Sequence, residues 1–290
     1  SDDGDVLVFL PGIGEFNRLR DALSSVIDDD ISIHRLAGSV PREEQDAALR
    51  RAHQGRSIIL ATDIAETSLT ISGIKVVVDS GYTRRSRYDP ASGMSRLITQ
   101  KISKAEANQR MGRAGRVASG WCYRNWAVSE EGGMLEFPPS EIEISDLSNF
   151  ALELSLWGSK PESMKFLTKP EPNRLTKAYE LLNQLGAISG QNKITPHGRE
   201  IAKFPCHVRL AHMLISVGKK SAIIAALLQN RDIMFDKNNA DFQMRLNKFD
   251  DGFYSGEINV GLYSKIKIDL KVFENLVQQD QILMQDQDML

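Results

Sequence analysis

The chain has 290 residues with 36 Lys and Arg against 38 Asp and Glu, a net charge of -2, and is 41% hydrophobic and 26% charged. That balance is globular, and the length predicts at least two packed units, because a single core stops growing near roughly 250 to 300 residues. It excludes a helical membrane protein, since no run approaches the roughly 18 apolar residues that span a bilayer, and no membrane partner is expected.

Two cysteines, Cys122 and Cys206, have neither disulfide-framework nor metal spacing, and the five histidines form no ligand set, so no metal site built by this chain alone is expected. The opening Ser1-Asp-Asp-Gly-Asp5 lacks a secretory pattern, which predicts a reducing, cytoplasmic protein. The absence of an initiator Met, and a strand that begins almost at once, predict a fragment.

Val6 to Leu10 is a short apolar run of the kind buried in a parallel sheet. Pro11-Gly12 ends it, and a helix is expected from about Gly14 with Phe16, Leu19 and Leu23 on one face. A second strand spans Ile31 to Leu36, and Ala37-Gly38-Ser39 turns into a helix begun near Pro41 and closed by Gly55. Ser57 to Ala61 and Lys75 to Asp79 read as two more strands. The alternation predicts a parallel α/β sheet, whose ligands meet the loops at the carboxyl ends of the strands.

The third of those loops is rich in hydroxyls and acids, with Thr62, Asp63, Glu66, Thr67, Ser68 and Thr70. This composition suits phosphate oxygens or a hydrated cation, and equally suits a helix cap. A hairpin follows, Arg84 to Tyr88 and Met94 to Thr99 about an Asp89-Pro-Ala-Ser-Gly93 turn. Ser103-Lys-Ala-Glu106 has the form of a capping box, opening a helix that carries Gln109 and Arg110 and weakens at Gly112. Arg110, Arg113 and Arg116 recur at every third residue, a spacing that lets guanidinium groups converge on one anion and that also fits a solvated basic turn. From Gly81 to Arg124, ten Lys or Arg stand against Asp89 and Glu106, a local +8 that predicts a polyanion footprint.

Trp121 to Trp126 is a further strand. Beyond Pro138-Pro139 the predicted elements are helices over Asp146 to Trp157, from an Asn173 cap to Leu185, and from Thr195-Pro196 to about Lys203, with a β-wing over Ala187 to Ile194. That is the outline of a winged helix. His207 to Val217, Lys220 to Gln229, Ala240 to Phe249 and Gly261 to about Gln279 are helical in period.

Leu60-Ala-Thr-Asp-Ile-Ala-Glu-Thr-Ser-Leu-Thr-Ile71 resembles motif V, and Gln109-Arg-Met-Gly-Arg-Ala-Gly-Arg116 motif VI, of DEAH/RHA-type superfamily 2 helicases; Val6 to Gly12 resembles motif IV, and Arg87 to Gly93 and Leu154-Ser-Leu-Trp-Gly158 look most like HrpB-type members. The resemblance implies an α/β RecA-like parallel-sheet domain at 1–140, a winged-helix domain at 141–205 and a helical, ratchet-like bundle from 206–290. It implies an ATP-dependent 3′-to-5′ RNA helicase in which Gln109 and the fingers Arg113 and Arg116 are catalytic, and Ser68, Thr70 and Ser72 join them facing the nucleotide. Arg110 is implied to be structural. Thr62, Gly12, Gly38, Ser39, Arg84, Arg85 and Arg87 are implied along single-stranded RNA, with the hairpin as a wedge. Ser72 stands where many relatives have a carboxylate, Asp63 where Asn is commoner, and Leu49 where eukaryotic relatives stack adenine, so loose base discrimination is expected. No G-x-x-x-x-G-K-[ST] or D-E-x-H segment occurs. ATP with Mg²⁺ therefore needs a first RecA-like domain as partner, and the chain alone is expected to be inactive. The alternatives are a non-catalytic nucleic-acid-binding scaffold and a helicase acting mainly on DNA.

Overall fold

The computed structural model describes residues 4–28, 30–38, 40–49, 56–67, 71–89, 92–116, 119–235, 239–252 and 258–287. The chain divides into two compact units, Ser1–Ser145 and Asp146–Leu290. In the first, β1 (Asp5–Phe9), α1 (Ile13–Leu23), β2 (Ser32–Leu36), α2 (Arg42–Leu49), β3 (Ser57–Ala61), α3 (Ile64–Thr67) and β4 (Ile74–Asp79) alternate as the sequence predicts. A hairpin of β5 (Tyr82–Asp89) and β6 (Met94–Lys101) then leads to α4 (Lys104–Met111), β7 (Trp121–Arg124) and α5 (Glu141–Ile144).

Five parallel strands form one sheet in the order β2-β3-β1-β4-β7. Side chains alternate across β1. Leu7 and Phe9 join Ile59, Val77, Ala48 of α2 and Ala65 of α3 on one face, while Val8 meets Leu60 and Phe16 of α1 on the other. Both faces are therefore covered, which is why the strands are continuously apolar and not alternating in polarity. Gly81 turns the chain from β4 into the hairpin at a φ of +79, and a Cβ there would lie 2.7 Å from the Trp126 ring. Only glycine fits that turn.

The second unit begins with α6 (Ser148–Trp157), stopped by Gly158 in the left-handed region, and α7 (Pro172–Gln184), stopped likewise by Gly186. Asn173 lies inside α7 and not at its cap, because Pro172 takes the first helical position, where its missing N–H costs nothing. The predicted wing is present as a hairpin of β8 (Ile188–Ser189) and β9 (Lys193–Ile194). Thr195 caps α8 (Pro196–Ile201), and a Cβ on Gly198 would meet the Ala187 carbonyl, so the wing base and α8 are in backbone contact. Then come α9 (Val208–Val217), α10 (Ala222–Gln229), α11 (Phe242–Asp251) and α12 (Val260–Gln287). Ala222, Ala225 and Ala226 are fully buried, and their small side chains let α10 pack closely on α9 and α12.

A polar clamp ties α6 to α9. Asn149 Nδ2 donates to the Cys206 carbonyl at 3.0 Å and its Oδ1 accepts from the Val208 N–H at 3.2 Å. The Arg209 N–H donates to His207 Nδ1, which leaves the ring proton on Nε2 to be donated to Asp146 Oδ2 at 2.9 Å. Cys206 beside this pair is no nucleophile, since burial pushes its thiol up to about 12. Burial alone would raise the Asp146 carboxyl, but hydrogen bonds from His207 and Ser148 outweigh it and hold Asp146 below the ordinary aspartate range. A carboxyl lowered on folding stabilises above its unfolded value and loses that contribution as pH falls through the lowered one. Thermal midpoints measured across acid pH should therefore fall more steeply for the wild type than for Asp146→Asn. Parallel curves would show that the clamp does not titrate.

Candidate functional site

Four loops leave the carboxyl edge of the sheet, at Leu10, Ala37, Thr62 and Ser80, and neighbouring backbones stitch them together. Thr62 N–H donates to the Leu36 carbonyl at 3.1 Å, Leu10 N–H to Ala61 at 2.9 Å and Ser80 N–H to Phe9 at 3.2 Å. Gly12 caps α1 with the Arg84 guanidinium directly above it; a Cβ there would lie 2.5 Å from Arg84 Nη1. Arg84 is held by Glu15 at 3.2 Å and Thr99 Oγ1 at 3.3 Å. Gly38 is exposed with open space around it. This edge thus gathers Thr62, Gly12, Gly38 and Arg84, while Ser39 lies outside the described residues.

The capping box at Ser103 is present in full, the Glu106 carboxylate accepting from the Ser103 backbone N–H at 2.7 Å and the Ser103 hydroxyl accepting from the Glu106 N–H at 3.3 Å. It starts α4 at the carboxyl end of β4, where Ile102 N–H donates to Gly81. The helix runs back along β4, so the Gly112–Arg116 turn sits beside the strand's amino half. There the carbonyls of Ala114 and Lys75 close on Gly120 so tightly that a Cβ would lie within 2.5 Å of both. Ser72 also precedes β4 on this side. Ser72 and the Gly112–Arg116 turn are therefore displaced from the carboxyl edge.

Arg110 braces this turn from inside. It is 1% exposed, and it donates to Glu66 Oε2 at 3.1 Å, Asp79 Oδ1 at 2.9 Å and the Tyr82 carbonyl at 3.3 Å, with its guanidinium 4.9 Å from the Phe9 ring centroid. Burial pushes the Glu66 carboxyl up, and the Arg110 charge and hydrogen bond oppose that rise. Arg113, 4% exposed, donates through Nε to the Glu66 backbone carbonyl at 2.9 Å. Burial first, and then the neighbouring Arg116 charge, holds Arg113 below the ordinary arginine value. Two cations pressed together in this way suit an anion placed between them. Gln109 and Arg116 are exposed on the same stretch. Ser68 and Thr70 lie outside the described residues.

The local +8 is largely neutralised in three dimensions. Arg84 pairs with Glu15, Arg85 with Glu106, Arg96 with Asp89, Lys101 with Glu130, Lys104 with Glu136, Arg110 with Glu66 and Asp79, and Arg124 with Glu131. The exposed pairs are weak because water screens them, and they can be exchanged for phosphates. Arg85 is turned inward onto the buried Glu106, which makes it the least suited of the proposed strand contacts. Arg87 has no ion-pair partner among the described residues and stands opposite Arg96 across the hairpin. Glu66, noted in the sequence only for its loop, and Asp79 are the partners of Arg110 that sequence reasoning did not assign. Their signal was the need of a buried arginine for acid, which names no partner. The carboxylates of the Thr62 loop are likewise committed, Glu66 to Arg110 and Asp63 to the Thr83 hydroxyl at 3.3 Å, and no cluster among the described residues could hold a metal ion.

The sequence profile of the helicase conserved C-terminal domain matches residues 1–118, and that of the winged-helix helicase associated domain (HA2) matches 178–206. ATP-dependent RNA helicase HrpB of Escherichia coli (strain K12) is 39% identical over 261 residues, covering 84% of this chain and 32% of HrpB. The crystal structure of Escherichia coli DEAH/RHA helicase HrpB superposes with a TM-score of 0.83 at 35% identity, over 94% of this chain and 34% of that one. The chain belongs to the DEAH/RHA helicase family, HrpB type. ATP-dependent RNA helicase HrpA of the same organism is 35% identical over 231 residues, 78% of this chain and 18% of HrpA. The chain thus spans about a third of the length of HrpB. Within this DEAH/RHA member the parallel sheet is the RecA-like domain, β8–β9 with its flanking helices the winged helix, and the helices beyond it the helical bundle. No described helix is long and apolar enough to cross a membrane.

Proposed function

We propose that this chain is the C-terminal part of an ATP-dependent 3′-to-5′ RNA helicase, working in the cytoplasm, with boundaries at 1–140, 141–205 and 206–290. The observation that carries this reading is the Arg110 brace, which fixes the Gly112–Arg116 turn against α3 and so sets Arg113 and Arg116 side by side. In this reading both arginines reach the γ-phosphate of ATP held by a preceding RecA-like domain, with Gln109 beside them and Ser68, Thr70 and Ser72 on the same nucleotide. Their charge stabilises the phosphoryl group in transfer. The donor set fits a phosphate. It does not fit Mg²⁺, because Glu66 and Asp79 are occupied by Arg110, so the metal's ligands belong to the preceding domain.

Thr62, Gly12, Gly38, Ser39, Arg84 and Arg87 lie along the RNA backbone in this reading, contacts that position a strand without reading its sequence. α3 links the two functions, because Thr62 precedes it and Glu66 at its end contacts both Arg110 and Arg113. A chain joining this one to a preceding phosphate-loop domain should unwind a duplex with a 3′ single-stranded tail and not one with a 5′ tail, with RNA preferred over DNA as tail. Equal failure on all tails, with intact strand binding, would favour the scaffold reading.

A further inference from the structure

A hollow beside the wing takes no part in that chemistry. It is open, about 1400 Å³ in volume, and bounded by the end of α6, the connection to α7, α7 itself and β9. Lys160, Lys169, Lys193 and Arg199 line it against Glu162 as the single acid of the lining. All four cations are exposed, and none has an ion-pair partner among the described residues. The hairpin region of the first unit, where most cations are paired, is the opposite case. Four like charges set against one acid raise the potential inside the hollow, and a bound polyanion would relieve it.

Aromatic surface lies among these charges. Trp157 is 63% exposed at the end of α6 and lines the hollow together with the half-buried Tyr179. At its lip, Gln191 and Asn192 hold the wing tip at φ of 62 and 57, with both side chains exposed. Spread cations suit a ligand that repeats its charge, and flat exposed rings suit one that also carries π-faces. An acidic peptide supplies only the first of these. We propose that this hollow is a second single-stranded nucleic-acid site, in which the four cations take successive phosphates and Trp157 and Tyr179 stack bases.

The test uses the 290-residue chain without nucleotide, so that its failure leaves the ATP reading untouched, and a labelled oligo(U) as probe. Lys169→Glu with Arg199→Glu should weaken binding at least about tenfold, and the slope of log K against log salt should become shallower by roughly 1.4, for two lost contacts on a single strand. Trp157→Ala should weaken binding at least about fivefold by removing one stacked base. Lys271→Glu on α12 should change neither. Unchanged affinity and slope in the double variant overturn the proposal, as does displacement of oligo(U) by polyglutamate of equal length combined with no effect of Trp157→Ala. Should a variant lower the melting midpoint, photocrosslinking of thiouridine-bearing oligo(U) to the wild-type chain decides instead: adducts within 157–199 support the site, and adducts confined to 1–145 reject it.

Discussion

Arg113→Ala and Arg116→Ala, each made in a chain that also carries the phosphate-loop domain, are expected to cut RNA-stimulated ATP turnover at least about a hundredfold, a bound set below the roughly 10³ to 10⁵ that an arginine finger contributes. The structure separates the two variants in a second measurement. Arg116 is exposed, so its loss should lower the thermal midpoint less than that of Arg113. Arg113 is buried on the Glu66 carbonyl, so its loss should lower the midpoint as well as turnover. Near-normal turnover in either variant would remove that residue from the chemistry, whatever happened to stability.

Arg110→Ala should have the largest effect on stability of any single change in the first unit. It leaves Glu66 and Asp79 facing each other without a cation, and breaking a buried ion pair from one side costs about 3–5 kcal/mol. For a unit of this size that corresponds to a midpoint lowered by roughly 10 °C. Arg110→Lys should recover part of it, because a lysine keeps the charge but cannot address Glu66, Asp79 and the Tyr82 carbonyl with one rigid fork. A loss below about 1 kcal/mol in Arg110→Ala would show that the network is not needed to hold the turn. Turnover in Arg110→Lys connects the two experiments. If the brace positions the fingers, activity should fall further than stability.

Much of the fold was legible because its signals are local. The apolar run Val6 to Leu10, the Ser103–Glu106 capping box and the turn residues around the β8–β9 wing each act within a few positions, and each lies where the sequence predicts. Thr62, Gly12 and Gly38 lie on loops at the carboxyl ends of the strands, the edge that the alternation of strands and helices predicts for ligands. That alternation gave no sign that α4 would carry Arg113 and Arg116 back along β4, because the direction of a helix after a hairpin depends on how long the hairpin is and where it folds. The polyanion footprint was overestimated for a related reason: charge counted along a segment omits acids brought in from Glu15, Glu130, Glu131 and Glu136.

The sequence by itself determined the alternation of strands and helices, the winged-helix outline and the family, since periodicity, caps and motif spacing are properties of neighbouring residues. The resemblance implied that Arg110 is structural, but only the tertiary structure decided which acids it meets and how far each arginine is buried. Arg110 meets Glu66 and Asp79 across 44 and 31 residues of chain, and nothing in the repeat of three arginines shows that Arg110 and Arg113 are buried while Arg116 is exposed. The physical reason is that the energy of a guanidinium depends on the dielectric and the charges around it, and both are set only when distant segments pack together.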